Sequence, residues 1–329
     1  MVYGIGNPLI DVIIRVNDED LRELALDKGI MHLVTEERQR EILDYLSGRP
    51  IGYRPGGSAP NTLLALAGLG IDGVISGKIG DDDFGRTYGE QVAAYGITSR
   101  LAMGDGMTGS SIILITPDGE RTMNTHLGMC QQFTVADLDE ELLAKADYLY
   151  FTGYMWDTEV QKESILRAIK VCRANGAKIV FDVADPFAVG RYKDDFLRLF
   201  KEEVDVGFCN TSEAAILFDL ESGKGPEQNQ QAAELLGDLV ETAVLKIGKD
   251  GSLVRNGGTT IHTPGESVQV VDTTGAGDMF AAGFLAGLAL GKPMDQCGKL
   301  AGDLAEMIIG QTGAQFGVEE VLELRETLL

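Results

Sequence analysis

A glycine-rich segment that leads into an apolar helix is the first place in this 329-residue chain where residue types and spacing could do chemistry. It reads VVDTTGAGDMFAAGFLAGL from Val270 to Leu288, and Asp278 follows the GAG triplet. Glycines let a backbone approach a ligand closely, and the open N–H groups at a helix N-terminus favour anions. A carboxylate beside such an anion site could deprotonate an alcohol while the N–H groups stabilise a transferring phosphoryl group. Alternatively, Asp278 only complements the helix dipole.

A second glycine cluster precedes another helical pattern, in RPGGSAPNTLLALAGLG from Arg54 to Gly70. Gly56 and Gly57 would allow close approach of the backbone to a ligand, and Asn61 would project from the first helical turn. Taken alone, the cluster is equally well explained as a loop that enters a helix.

Other kinds of site find little support in the sequence. The P-loop pattern is absent, and GIGNPL at Gly4–Leu9 lacks the third glycine of a dinucleotide-binding fingerprint. The four cysteines have no metal-ligand spacing, and the three histidines are scattered. A net charge of −23 argues against surfaces that bind nucleic acid or an anionic membrane, because such surfaces neutralise phosphates. The N-terminal pattern is that of a core strand rather than a signal peptide, so we expect a cytoplasmic protein.

Strand and helix patterns alternate through the second half of the chain. This alternation predicts a parallel sheet with helices on both faces. In such sheets, ligands bind beyond the carboxyl ends of the strands, where Gly153, Asp185, Asn210 and Gly248 would lie.

Two segments, Asp11–Pro55 and Arg100–Asn124, break this alternation, and Asp118-Gly119 within the second is typical of a hairpin turn. The expected fold class is therefore α/β, with a doubly wound, mostly parallel sheet and a small discontinuous β lid. The core would comprise residues 1–11, 56–98 and 125–329, and the lid residues 12–55 and 99–124.

The two glycine motifs together resemble a known family. GGSAPN at Gly56–Asn61 and DTTGAGD at Asp272–Asp278 are similar to the two signatures of the ribokinase (PfkB-type) carbohydrate and nucleoside kinases. Further similar motifs follow in the expected order, so the resemblance covers nearly the whole chain; they are GNPLID at Gly6–Asp11, GKIGDDDFG at Gly77–Gly85, NTSE at Asn210–Glu213 and KIGKDG at Lys246–Gly251. GNPLID, TPDGERTMN and TGYMWD look like the adenosine kinase branch.

The resemblance implies an ATP-dependent kinase that transfers the γ-phosphoryl group to a primary hydroxyl, first of all the 5′-OH of adenosine or a related nucleoside. A sugar kinase of the same family, acting on a ketose or pentose, is the main alternative. A non-catalytic nucleoside-binding protein on this fold is more remote, because the glycine loop and Asp278 are both retained. An NAD-dependent dehydrogenase would leave Asp278 unexplained.

The resemblance also implies roles for individual residues. Asp278 would be the catalytic base, and the N–H groups of Gly275, Ala276 and Gly277 would hold the phosphoryl group. From its chemistry, Arg121 in the hairpin would close over the phosphates with its five donors, or it is simply an exposed hairpin arginine. A purine base needs flat apolar or aromatic contacts, for which Phe187, Met155 and Trp156 are candidates, with core packing as the alternative role of such side chains. The remaining acceptor-site residues would be Asn7, Asp11, Gly56, Gly57 and Asn61, with Asp11 at the end of the first strand.

A nucleotide site is implied as well. Glu213 would act on Mg²⁺ through water. K⁺ is a further candidate cofactor, near Val270–Thr274 and the Gly313-Ala314 turn. ATP and a small-molecule acceptor are the expected partners, without nucleic acid or membrane, in a monomer or homodimer. The ATP-binding residues would be Asn210, Lys246, Gly248, Gly251, Gly275 and Gly277.

Overall fold

The computed structural model describes residues 1–220 and 225–328. The described strands are β1 (Val2–Ile5), β2 (Leu9–Arg15), β3 (Met31–Leu33), β4 (Ile51–Gly56), β5 (Gly73–Gly80), β6 (Thr98–Gly104), β7 (Ser110–Ile115), β8 (Arg121–His126), β9 (Tyr148–Thr152), β10 (Lys178–Asp182), β11 (Val206–Asn210), β12 (Thr242–Lys246), β13 (Ser252–Asn256) and β14 (Thr259–Thr263). The described helices are α1 (Asp18–Glu23), α2 (Glu36–Tyr45), α3 (Ser58–Gly68), α4 (Asp83–Ala94), α5 (Glu140–Leu143), α6 (Glu159–Ala174), α7 (Pro186–Glu202), α8 (Thr211–Leu217), α9 (Pro226–Gly237), α10 (Ala276–Ala289), α11 (Met294–Ile309) and α12 (Val318–Leu328).

The larger sheet has nine strands in the order β14-β13-β12-β11-β10-β9-β1-β5-β6. All neighbours from β12 to β6 are parallel, and β13 and β14 add an antiparallel edge. Adjacent residues of β1 pack into different cores, Val2 on one face and Tyr3 on the other. Helices α3, α4, α10, α11 and α12 cover the first face and α5 to α9 the second, which confirms the doubly wound α/β class.

The smaller sheet has five strands in the order β3-β8-β7-β2-β4. Helix α2 covers one of its faces, where Gln39 donates hydrogen bonds to the carbonyl oxygens of Ser110 and Asn124 and accepts one from the Ser110 hydroxyl. Ser110 is in register with Ile10 on β2. Because side chains alternate along a strand, Asp11 must lie on the opposite, uncovered face.

The predicted boundaries between the two parts differ from those in the structure. The smaller sheet begins at Leu9, because β2 already belongs to it, and it continues to His126. Strand β6, which the expected lid includes from residue 99, is instead the edge of the larger sheet and pairs in parallel with β5. The β5-α4-β6 segment is thus an ordinary parallel crossover unit. Strand β6 at its edge is half exposed, and its mixed pattern of apolar and polar residues explains why the sequence placed it in the lid. That the smaller sheet moves as a lid stays a prediction.

The helices of the described chain are all too short or too polar to cross a bilayer. The four cysteines are buried and unpaired with one another. Burial raises the pKa of all four thiols, that of Cys172 to about 12.

Candidate active site

The two glycine motifs meet at Asp278, in the first turn of α10. Ser58 donates a hydrogen bond from Oγ to Asp278 Oδ1 at 2.6 Å, and Asn61 donates from Nδ2 to Oδ2 at 2.9 Å. Both donors lie in the first turn of α3, and the Thr62 hydroxyl from the same helix donates to the Asp278 carbonyl at 3.1 Å. Two motifs more than two hundred residues apart therefore form one site.

Burial raises the pKa of the Asp278 carboxyl to about 7, although the hydrogen bonds from Ser58 and Asn61 act in the opposite direction. A carboxyl that titrates near neutral pH suits a general base, since a large fraction of it is ionised at that pH and it accepts a proton readily.

Open backbone N–H groups surround this carboxylate. Gly275 has φ of +80°, and a Cβ there would lie 2.6 Å from Ala314 Cα, so the turn requires glycine. Within residues 1–220 and 225–328, no acceptor is found for the N–H groups of Gly275, Gly277 and Asp278. The Ala276 N–H was expected to be part of this set, but it donates to the Thr273 carbonyl at 3.3 Å, which closes the turn. The third open N–H group is therefore that of Asp278 and not that of Ala276.

Asp11 was expected at the end of the first strand, but it lies inside β2, on the uncovered face of the smaller sheet. Gly56 lies beside it, and a Cβ on Gly56 would come within 2.8 Å of both Asp11 carboxylate oxygens. Burial raises the pKa of Asp11 to about 7, against the opposing effect of Arg121 and Arg54, and the Asp278 charge adds to the rise. Two electrostatically coupled carboxyl groups therefore occupy the site.

Arg121 joins the smaller sheet to the glycine loop. Its guanidinium forms an ion pair with Asp272 Oδ2 at 2.8 Å and lies 3.3 Å from Thr274 Oγ1. Both side chains of the ion pair are largely buried, at 13% and 12% exposure. The predicted placement of Arg121 over the anion site is thus compatible with its contacts, whereas contact with phosphate stays a prediction.

Some predicted acceptor residues serve mainly to build the site. The side-chain oxygen of Asn7 accepts a hydrogen bond from Gln161 Nε2 at 2.9 Å, so its amide is held by α6. Gly57 precedes α3 with φ of +99° and packs against the Asn7 carbonyl. The Asn61 amide oxygen is buried and has no hydrogen-bond partner among the described residues, which leaves it available to a ligand.

The aromatic candidates for a base contact lie elsewhere. Phe187 is 77% exposed and faces the Arg191 guanidinium at 5.9 Å, so the structure does not pack it against Asp11 or Asp278. Met155 and Trp156 are buried in the core, where the Trp156 indole donates to Asp195. Their contribution is packing.

Sequence reasoning missed an apolar row beside Asp11. Ile13, Ile113 and Met123 are in register on β2, β7 and β8, on the uncovered face. This row lies between the row of Asp11 and the row that ends in Arg121. The signal was the strand alternation around Asp11 in LIDVIIR, which puts Ile13 on the same face two residues later.

Lys246 lies at the carboxyl end of β12 and was expected to contact ATP. Its Nζ is 2.7 Å from Asp182 Oδ2, and both side chains are largely buried. Asn210 and Glu213 form a capping box at the start of α8, with both Glu213 oxygens 2.6 Å from Asn210 nitrogens. Burial raises the pKa of Glu213, and the adjacent Lys246 ammonium opposes this rise.

The two glycines of the KIGKDG motif differ in their surroundings. Gly248 is exposed, with φ of +66° and open space where a side chain would lie. Gly251, with φ of +92°, is held against the Thr263 carbonyl, and it therefore closes the β12–β13 turn. Their contact with ATP stays a prediction.

Comparison with known proteins decides the family. The family model described as pfkB family carbohydrate kinase matches residues 31–321. The chain belongs to this family. The pfkB-family kinase is a phosphotransferase that acts on a hydroxyl group with ATP as co-substrate, and the predicted resemblance is confirmed.

Several relatives resemble this pfkB-family kinase over nearly their whole length. An adenosine kinase from Sinorhizobium meliloti is 34% identical, with 99% of this chain and 98% of that one covered and a TM-score of 0.86. A probable sugar kinase from Rhizobium etli CFN 42 is 31% identical, with 100% and 98% covered and a TM-score of 0.87. Adenosine kinase 2 of Arabidopsis thaliana is 26% identical, with 96% of this chain and 95% of its own covered.

Mg²⁺ is implied for a pfkB-family kinase, and the residues fit water-mediated contact. In the described part of the chain, no three His, Cys, Asp or Glu side chains group closely enough to hold a metal ion alone. Mg²⁺ keeps several waters and takes other ligands from substrate phosphates, so a full protein cage is not needed. Because Asp182 is paired with Lys246, the Glu213 carboxylate supplies the net negative charge that suits a hydrated cation. Mg²⁺ would neutralise charge on the phosphates there.

Proposed function

We propose that the protein is an ATP-dependent kinase that phosphorylates the 5′-OH of adenosine or a closely related nucleoside. The observation that carries this proposal is the Asp278 carboxylate, which Ser58 and Asn61 hold beside open backbone N–H groups. That combination provides a base for the acceptor hydroxyl and donors for the phosphoryl group in one place.

Each group then has a defined task. Asp278 removes the proton of the acceptor hydroxyl as its oxygen attacks the γ-phosphorus. The N–H groups of Gly275, Gly277 and Asp278 stabilise the charge on the phosphoryl oxygens, and the β–γ bridging oxygen leaves with ADP. Asp11 accepts hydrogen bonds from sugar hydroxyls, which orients the acceptor.

The apolar row beside Asp11 favours a nucleoside over a free sugar. Ile13 and Met123 are partly exposed on either side of the buried Ile113. A flat base can pack on this row, whereas a sugar alone would leave its exposed part in contact with water. The similarity to the adenosine kinase from Sinorhizobium meliloti supports the same choice. The similar probable sugar kinase from Rhizobium etli supports a sugar acceptor as the second candidate.

We also propose K⁺ as an activator near the glycine loop. The two predicted segments are in contact, since the Gly313 N–H donates to Asp272 Oδ2 at 2.8 Å. Replacement of K⁺ by tetramethylammonium in the assay should lower the rate, and an unchanged rate would remove K⁺ from the proposal.

ADP release from Mg-ATP with a panel of acceptors tests the function. The panel contains adenosine, guanosine, inosine, cytidine, ribose, fructose and fructose phosphates. We expect the highest kcat/KM with adenosine, and loss of that rate in Asp278→Asn. Asp83→Asn is the matched control, because Asp83 also lies in the first turn of a helix but is 95% exposed.

Two outcomes would change the proposal. Turnover with a sugar alone would keep Asp278 as the base but replace the nucleoside. No turnover with any acceptor, by folded protein, would contradict the proposed function.

A further inference from the structure

A buried ion pair lies next to the anion site. Asp182 ends β10 and Lys246 ends β12, and β11 runs between these strands. The Asp182 carboxylate is 3% exposed, and its Oδ2 lies 2.7 Å from Lys246 Nζ. We call these two residues the Asp182–Lys246 pair.

The local backbone fixes the direction of the Asp182 carboxylate. Its second oxygen, Oδ1, accepts a hydrogen bond from the Ala184 N–H at 3.1 Å. Ala184 has φ of +63°, in the left-handed region that costs free energy for a residue with a Cβ. Such strain persists only where its surroundings enforce it, and it is common next to functional groups.

The pair places its ammonium at the start of α10. Lys246 Nζ lies 3.6 Å from the position that a Cβ on Gly277 would occupy. A glycine at 277 therefore leaves room between the ammonium and the open N–H groups of that first turn. A buried ammonium is costly unless a counter-charge accompanies it, and Asp182 supplies that charge.

We propose that Asp182 is a positioning residue, which holds Lys246 where its ammonium contacts the transferring phosphoryl group. This inference rests on the proposed phosphoryl transfer, but not on the identity of the acceptor. Lys246 adds a full positive charge to the N–H donors as negative charge shifts from the γ-phosphoryl group towards the leaving oxygen. A purely structural role is less economical, because apolar residues of similar volume commonly replace buried ion pairs without loss of stability.

The pair also acts on the base. Asp182 raises the pKa of Asp278 and Lys246 lowers it, after the larger effect of burial and the two hydrogen bonds. The titratable and charged groups that act electrostatically with Asp278 in the described chain are Asp11, Tyr150, Tyr154, Asp182 and Lys246.

Three variants test the pair, namely Asp182→Asn, Lys246→Met and the double variant. We expect Lys246→Met to lower kcat by ~10²–10³-fold with little change in the KM for ATP, as for loss of one transition-state donor. Asp182→Asn should lower kcat by ~10–100-fold, as for a supporting partner. Because Asp182 acts through Lys246, the double variant should be no slower than Lys246→Met.

Asp205→Asn is the matched control. Asp205 is likewise largely buried, with one oxygen 2.7 Å from the Ile179 N–H and the other 3.2 Å from Arg173, but it lies at the opposite end of the strands. It should leave kcat unchanged. If Lys246→Met fails to fold because Asp182 is left unpaired, the double variant still carries the comparison, since it removes both charges.

The pH profile separates positioning from packing. The acid limb of kcat/KM should move to lower pH in Asp182→Asn and to higher pH in Lys246→Met, whereas lost packing would move neither. An unchanged kcat in Asp182→Asn, or losses that multiply in the double variant, would overturn the inference. If the wild type used no acceptor, the proposed function would fail and this inference with it, whereas a wild type that turns over beside an Asp182→Asn variant with unchanged kcat would overturn this inference alone.

Discussion

At the scale of single residues, Asp278 owes its chemistry to neighbours from another part of the chain. A first-turn aspartate on a solvated helix would titrate near 4 and serve only as a cap. Burial against α3 raises the pKa of the carboxyl to about 7, while Ser58 and Asn61 fix its orientation. The same residue type thus becomes a base because of where α3 lies.

Asp278→Asn should remove catalysis and retain the fold. The asparagine oxygen can accept the hydrogen bond from Asn61, and its NH₂ group can donate to the Ser58 hydroxyl oxygen. We expect kcat to fall by ~10²–10⁴-fold, as for loss of a general base. In the wild type, kcat/KM should fall as the pH drops below about 7, because protonated Asp278 cannot accept a proton. A variant with unchanged kcat would show that another group is the base.

Residue types and spacing indicated Asp278 but not which aromatic side chains lie near a ligand. A carboxylate in a glycine-rich helix start suits either a base or a complement to the helix dipole, and the resemblance of both glycine motifs to the kinase family favoured the base. Phe187 and Trp156 have the same flat apolar chemistry, yet one is 77% exposed and the other 2%. Which aromatic lies near a ligand depends on tertiary packing, and a single sequence does not report that. Lys246 presented the same difficulty, since nothing local distinguishes a buried lysine from a solvated one.

At the scale of elements, the uncovered face of the smaller sheet is the part that meets the glycine loop. Arg121 at the start of β8 makes this contact through Asp272, which also accepts the Gly313 N–H. The hairpin predicted at Asp118-Gly119 is confirmed, and it sets the register that brings Arg121 beside Ile115. The local turn signal therefore indicated the strand position of Arg121, whose ion-pair partner Asp272 lies far away in the sequence.

Arg121→Met should loosen the attachment of the smaller sheet and slow the reaction. It leaves the largely buried Asp272 without its cation, and ~10²-fold loss of kcat is expected if the guanidinium also stabilises the phosphoryl group. Amide hydrogen exchange across β7 and β8 should become faster. Arg15→Met is the matched control, because Arg15 lies on the same face and is exposed. Equal exchange rates and equal kcat in both variants would show that Arg121 does not hold the smaller sheet against the glycine loop.

Element prediction succeeded where the signals were local. Thr158 is a residue type favoured at helix starts, and in the structure it caps α6, where its hydroxyl accepts a hydrogen bond from the Gln161 N–H. In the sequence, a helical apolar pattern is clear only from Asp194 onward, whereas α7 begins at Pro186 and contains a non-helical residue at Tyr192. The kink interrupts the apolar period, so only the second half of α7 showed a clear pattern.

At the scale of the whole molecule, two carboxyl groups occupy one site where the smaller sheet meets the larger part. Asp11 comes from the first and Asp278 from α10, and burial raises the pKa of each to about 7. In the free protein, therefore, burial disfavours the charged form of both site carboxyls. Such a site is organised for a ligand at the expense of stability.

The stability of the free protein should accordingly depend on pH between about 4 and 7. A carboxyl with a higher pKa in the folded state than in the unfolded chain contributes stability that is complete below its unfolded pKa of 3.8. That contribution is lost as the pH rises through about 7, with a slope of at most about 1.4 kcal/mol per pH unit for each group. Carboxyls with lowered pKa, such as Asp20 and Asp139, titrate below this window.

Comparison of the wild type with the Asp11→Asn/Asp278→Asn variant isolates these two groups. Urea unfolding, followed by the fluorescence of the single tryptophan, Trp156, gives the free energy of unfolding at each pH. The wild type should lose stability relative to the variant as the pH rises from 4.5 to about 7.5, and the difference should then level off. Glu213 titrates in both proteins, so its contribution cancels. A difference that does not vary with pH would mean that Asp11 and Asp278 titrate as solvated carboxyls, and neither would then be poised as a base at neutral pH.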